Sequence, residues 1–135
     1  MCETDFKQLA EAAESQQTRE NMDALWRAVF SLEQWYFIAR GNKDKPTPFA
    51  SVVNGKPFLM GFTSTEGAQV FYARNKLDDG KSHGILSIPS RNTAYFTSFA
   101  QHGVFGILFN DHEKGFYTPL TNIQPMYDYF VVGKS

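Results

Sequence analysis

His102, Asp111, His112 and Glu113 come nearest, in type and spacing, to a metal-binding or acid–base set in this chain. They flank the apolar run at 104–109 (VFGILF), which reads as a strand. A strand of about six residues spans roughly 20 Å, so His102 stands at the opposite end from the others. Asp111, His112 and Glu113 are consecutive, and metal sites normally draw ligands from separated elements because neighbouring side chains in a turn diverge. The three read as a solvated turn, and His83, between Ser82 and Gly84, reads as a loop residue. The nearest approach to a nucleophile elbow is Gly61-Phe62-Thr63-Ser64, which lacks the second glycine of G-x-S-x-G. Thr63 with Glu66 three residues later explains these hydroxyls as a capping box. Neither G-x-G-x-x-G nor a P-loop occurs, so we expect no metal, no cofactor and no catalytic residue.

Two weaker groupings remain. In open α/β sheets ligands gather beyond the carboxyl ends of parallel strands, where Ser90, Arg91, Asn110, Asp111 and His112 would meet. Trp35, Tyr36 and Arg40, with Tyr127 near the C-terminus, are the residue types enriched at protein interfaces. The aromatic run can equally be a central strand buried on both faces.

Apolar periodicity supplies the elements that would position these groups. Phe6, Leu9, Ala10 and Ala13 share a helix face, and Met22, Leu25, Trp26, Val29 and Phe30 share another behind Thr18, an N-cap. The run 35–38 (WYFI) reads as a strand and GNKDKPTP as a loop. Asn54-Gly55, flanked by strands at 50–53 and 56–62, predicts a hairpin with a type I′ turn. A helix follows from Ser64 to about Lys76, ended by Asp78, Asp79 and Gly80. Strands at 85–88 and 104–109 enclose a helix whose shared face is Ala94, Tyr95, Ser98 and Phe99, stopped by Gly103. That unit predicts two parallel strands joined by a right-handed crossover. Phe116 and Tyr117 form a short edge strand, and Met126, Tyr129 and Phe130 a final helix with Pro125 in its first turn. The expected architecture is one α/β (α+β) domain over residues 1–135, a mixed sheet of about five strands with flanking helices.

Composition narrows the partners. The net charge is -1 and there is no basic block, so nucleic acid and anionic membranes are not expected partners. The charge is uneven: residues 1–34 carry seven acids and three bases, which makes the N-terminal helices acidic. Thirteen Phe, six Tyr and two Trp supply large apolar area with directional packing. A single cysteine, Cys2, rules out an internal disulfide. No apolar run is long enough to span a bilayer, and the N-terminus is acidic where a signal peptide is basic, so the cytoplasm is the expected compartment.

The segments 25–40 (LWRAVFSLEQWYFIAR), 55–68 (GKPFLMGFTSTEGA) and 103–110 (GVFGILFN), in this order, resemble the N-terminal domain of the SseB family. The resemblance samples most of residues 22–110 and implies a mixed α/β domain, found alone or beside a second domain, with no active-site residue to carry over. It points to a single-domain, non-enzymatic binding or regulatory module whose partner is another protein or a second copy of this chain. Two alternatives stand beside it. One is a small-molecule sensor or enzyme using the strand-end residues; the other is an immunity or inhibitor protein using Glu11, Glu14 and Glu20.

Overall fold

Strand β1 (Gln34–Gly41) organises the molecule. The computed structural model describes residues 6–41, 44–75, 82–111 and 115–132. Alternation along β1 directs Trp35 and Phe37 to one face of the sheet and Ile38 to the other, and all three are fully buried. A strand with no solvent face needs covering layers on both sides, and the helices supply them.

On one face lie α1 (Phe6–Ser15), α2 (Arg19–Ser31), α4 (Thr93–Ser98) and α5 (Ile123–Tyr127), packed on Trp35, Phe37, Leu59, Ile107 and Phe109. On the other lies α3 (Thr65–Arg74), which seats Ala68 and Phe71 on Ile38, Met60 and Phe62. The N-terminal helices therefore pack on their own sheet. Thr18 caps α2 as its sequence predicts, accepting from the Asn21 amide at 3.1 Å. The Asn21 side chain donates to Gln16 and Ala12 carbonyls and so holds the α1–α2 turn.

Among the described residues the sheet has seven strands against the five or so expected, mixed in direction, and the fold is α+β. β5 (Ser82–Pro89), β1, β4 (Lys56–Phe62), β6 (Gly106–Phe109) and β7 (Phe116–Pro119) succeed one another across it. Among the described residues only β4 and β6 are parallel neighbours; the other pairings are antiparallel. β5 and β6 run in the same direction, as expected of the unit that joins them, but β1 and β4 stand between them. The extra strands come from the expected loop GNKDKPTP and its sequel. β2 (Pro46–Pro48) pairs with the end of β1, and β3 (Ala50–Val53) pairs with the start of β4. Phe49 bridges them: its amide donates to Ile38 and its carbonyl accepts from Met60, so this bent strand wedges β1 and β4 apart at one end.

Local chemistry sets the turns. Asn54 and Gly55 have φ of 53° and 79°, the left-handed pair that a type I′ hairpin demands. The cap of α3 is one residue later than expected. Ser64, rather than Thr63, accepts from the Gly67 amide at 3.1 Å, because Thr63 is held by Asn110 of the neighbouring strand. In α4 the deeply buried side chain is Phe96, 5.1 Å from Trp35 and 5.7 Å from Phe37 between ring centres, whereas Ala94 and Ser98 of the expected face are exposed. Asp78, Asp79 and Gly80, the expected stop of α3, lie outside the described residues. The final helix starts at Ile123 with Pro125 in its first turn, as expected, and widens into a π-turn over Asp128–Val132.

Candidate functional site

The interface residues read from the sequence do not form one surface. Trp35 is fully enclosed in the helix-side core, its indole N–H donating to the Val29 carbonyl at 2.9 Å, so it is a packing residue and not a contact for a partner. Tyr36 packs on the opposite face, against the core under α3. Arg40 lies half-buried near the other end of β1, where its Nη1 donates to Ser82 at 2.9 Å and its guanidinium sits 5.2 Å from the centre of the Phe49 ring. Tyr127 is partly buried against the helix-side core. The physical reason is the position of β1: inner strands have both faces covered, and the aromatic run was recruited to fill them.

The strand-end residues do lie at one end of the sheet, but they are divided. Ser90 is buried; its amide and hydroxyl donate to the carbonyls of Glu33 and Leu32 respectively, tying β5 to the start of β1. Asn110 is buried three strand positions away, roughly 14 Å at normal strand spacing. Its Oδ1 accepts from the Thr63 amide at 3.1 Å and its Nδ2 donates to the Thr63 hydroxyl at 3.0 Å. These bonds join the parallel strands β4 and β6. Arg91 and Asp111 are exposed, and His112 lies outside the described residues. Among the described residues no three His, Cys, Asp or Glu side chains stand together in a way that could hold a metal ion.

A groove lies elsewhere, between the N-terminal helices and the β7 edge of the sheet. Ala10, Ala13, Glu14 and Gln17 of α1 and its following turn form one wall of a groove of about 550 Å³; Leu25 and Trp26 line it from α2. The small side chains of Ala10 and Ala13 keep this wall low. Trp26 is held by edge-on contacts with Phe116 and Phe109, at 5.4 and 6.0 Å between centres. Met22 and Met126, two flexible and polarizable side chains, also line it. Beyond Trp26, Asn122 and Met126 a second hollow of about 380 Å³ continues towards Arg19, Asp23 and Tyr129. There Arg19 donates to the Tyr129 hydroxyl at 3.0 Å and lies 3.7 Å from Asp23. These neighbours raise the guanidinium pKa above its ordinary value, the Tyr129 hydrogen bond contributing most.

The far wall is the strand β7 itself. Residues 115–119 all line the groove, side chains from both faces included, which is how a strand presents its edge. β7 pairs with β6 on one side and has no strand on the other among the described residues. The Leu120 amide donates to the Phe105 carbonyl at 2.9 Å, and alternation from that bond assigns Thr118 and Phe116 to the ladder with β6. The N–H and C=O of Tyr117 therefore face away from β6. Pro119 contributes only its carbonyl on that side.

The sequence places an edge strand at Phe116 and Tyr117 but gives no sign that a helix pair stands beside its open side. Compared with known proteins, the chain matches no family model and no curated protein. No helix among the described residues is long and apolar enough to cross a membrane.

Proposed function

We propose that this chain is a protein-binding module that takes an extended segment of its partner as an added strand on β7. It would act in the cytoplasm without catalysis of its own, in keeping with the SseB resemblance. The observation that carries the reading is the open edge of β7 lying in an apolar groove. Strand addition draws affinity from main-chain hydrogen bonds and specificity from alternate side chains that enter pockets. Tyr117 offers one donor and one acceptor, and two such bonds contribute about 1–3 kcal/mol net. Micromolar affinity needs about 8 kcal/mol, so most of it must come from apolar side chains seated on Met22 and Met126 above the buried Leu25 and Trp26. Glu14 on the α1 wall favours a basic residue in the same segment.

The test is selection of binders from a displayed library of random linear peptides, followed by titration of the enriched peptides into wild type and Tyr117→Pro. Proline at this position removes the outward N–H and leaves the ladder to β6 intact. The expected result is enrichment of extended apolar peptides carrying Lys or Arg, with affinity for Tyr117→Pro weakened about tenfold, the effect of losing one well-made bond. Peptides that bind both proteins equally would overturn the assignment of β7.

A further inference from the structure

The opposite face of the sheet carries a second apolar surface, which shares Gly115 and Tyr117 with the groove. Helix α3 covers β1 and the carboxyl half of β4, but the start of β4, β6 and β7 have no helix over them among the described residues. Adjacent parallel strands such as β4 and β6 are normally covered on both faces. Here the uncovered part is a shallow hollow of about 470 Å³. Phe58, Phe105, Leu108 and Tyr117 line it, and Tyr117 is 55% exposed while its ring stands edge-on to Phe58 at 5.4 Å.

Charge is distributed along this surface in a particular way. Lys56 lies at the start of β4, its ammonium 4.2 Å from the centre of the Phe105 ring, which holds it at that end. Asp111 lies just beyond the carboxyl end of β6. Because β4 and β6 are parallel, with Phe58 opposite Gly106 and Gly61 opposite Phe109, the cation and the anion sit at opposite ends of the apolar patch. A two-fold axis in the plane of the sheet, perpendicular to the strands, inverts that order. It would place the Lys56 end of one copy over the Asp111 end of the other, twice, with the aromatic residues between them.

We infer that this face is an isologous interface between two copies of the chain, closed by a reciprocal Lys56–Asp111 pair at each end. Self-complementarity under a two-fold axis is the requirement for a closed dimer, and a patch carrying one charge of each sign at its two ends meets it. Face-to-face sheets also pack with their strands within about 30° of one another, which keeps the two charged ends in register.

The experiment is sedimentation equilibrium of wild type, Lys56→Glu, Asp111→Lys and an equimolar mixture of the two variants, with circular dichroism to verify folding. Wild type is expected to reach the mass of two chains as concentration rises. Each variant alone sets like charges against one another and should weaken association about tenfold or more. The mixture restores an opposite pair at both ends and should recover the two-chain mass. A wild type that remains a single chain at every concentration would overturn the inference, as would a mixture no better than its parts. A salt titration of wild type needs no variant: association should weaken as ionic strength rises, and insensitivity to salt would remove the charged pairs from the account.

Discussion

Asn110 shows how much a single side chain settles here. It is buried at the end of β6 with φ of 57°, a left-handed conformation that asparagine adopts more readily than other non-glycine residues. Three bonds hold it there: its amide to the Gly61 carbonyl at 2.9 Å and its side chain to both the amide and the hydroxyl of Thr63. Asn110→Ala puts a residue that disfavours this conformation in its place, removes the side-chain bonds and leaves the Thr63 amide unpaired, so it should destabilise the protein by about 2–4 kcal/mol in urea. Asn110→Gly loses the same bonds but adopts this conformation freely, so it should cost about 1 kcal/mol less. Equal midpoints for the two variants would contradict the conformational part of this account. In the sequence Asn110 reads as a ligand candidate beside Asp111, and its structural role was hidden because its partner lies 47 residues away. The same long-range bond moved the α3 cap from Thr63 to Ser64.

Elements were legible wherever their cause is local. The Asn54-Gly55 hairpin is read from two residues whose conformations the turn dictates, and its register, Val53 opposite Lys56, follows at once. The Thr18 cap is likewise local. β2 was missed because Pro46 and Pro48 advertise a loop, although proline is tolerated where a strand lies at an edge or an irregularity. The buried face of α4 was misjudged because six residues are too few for periodicity to identify it; Phe96 is buried by Trp35 and Phe37, which no local pattern reveals. The groove was least legible of all, since it exists only where two distant segments meet. One element-scale prediction concerns the strand that forms its wall. A Cβ on Gly106 would stand 2.2 Å from the Thr118 carbonyl oxygen, inside contact distance with backbone that cannot step aside. Gly106→Ala should force β7 off β6 and destabilise by roughly 1–3 kcal/mol or more. NMR amide shifts should move throughout 116–119, and a variant whose shifts move only at residue 106 would show that the strand pair accommodates the methyl.

At the scale of the molecule, two cores share one sheet, and α1 joins the helix-side core through Ala10 and Ala13 without pairing into the sheet. Its principal packing partner is α2, whereas β1 pairs with β2, β4 and β5. Native-state hydrogen exchange should therefore find the α1 amides opening at a lower free energy than those of β1, while the β1 amides open only with global unfolding. Exchange of α1 at the global rate would mean that the groove wall is as firmly built as the sheet. The sheet order carries one more consequence, for synthesis. Phe58 of β4 pairs with Gly106 of β6, 48 residues further along the chain. At about 5–20 residues per second a ribosome takes roughly 2–10 s to supply that partner. Through this interval the hairpin is complete but one edge of β4, KPFLMGF, is bare. The nascent chain thus exposes an apolar strand before it can be paired, and a pause in translation ahead of Gly106 would lengthen the time available for misassociation.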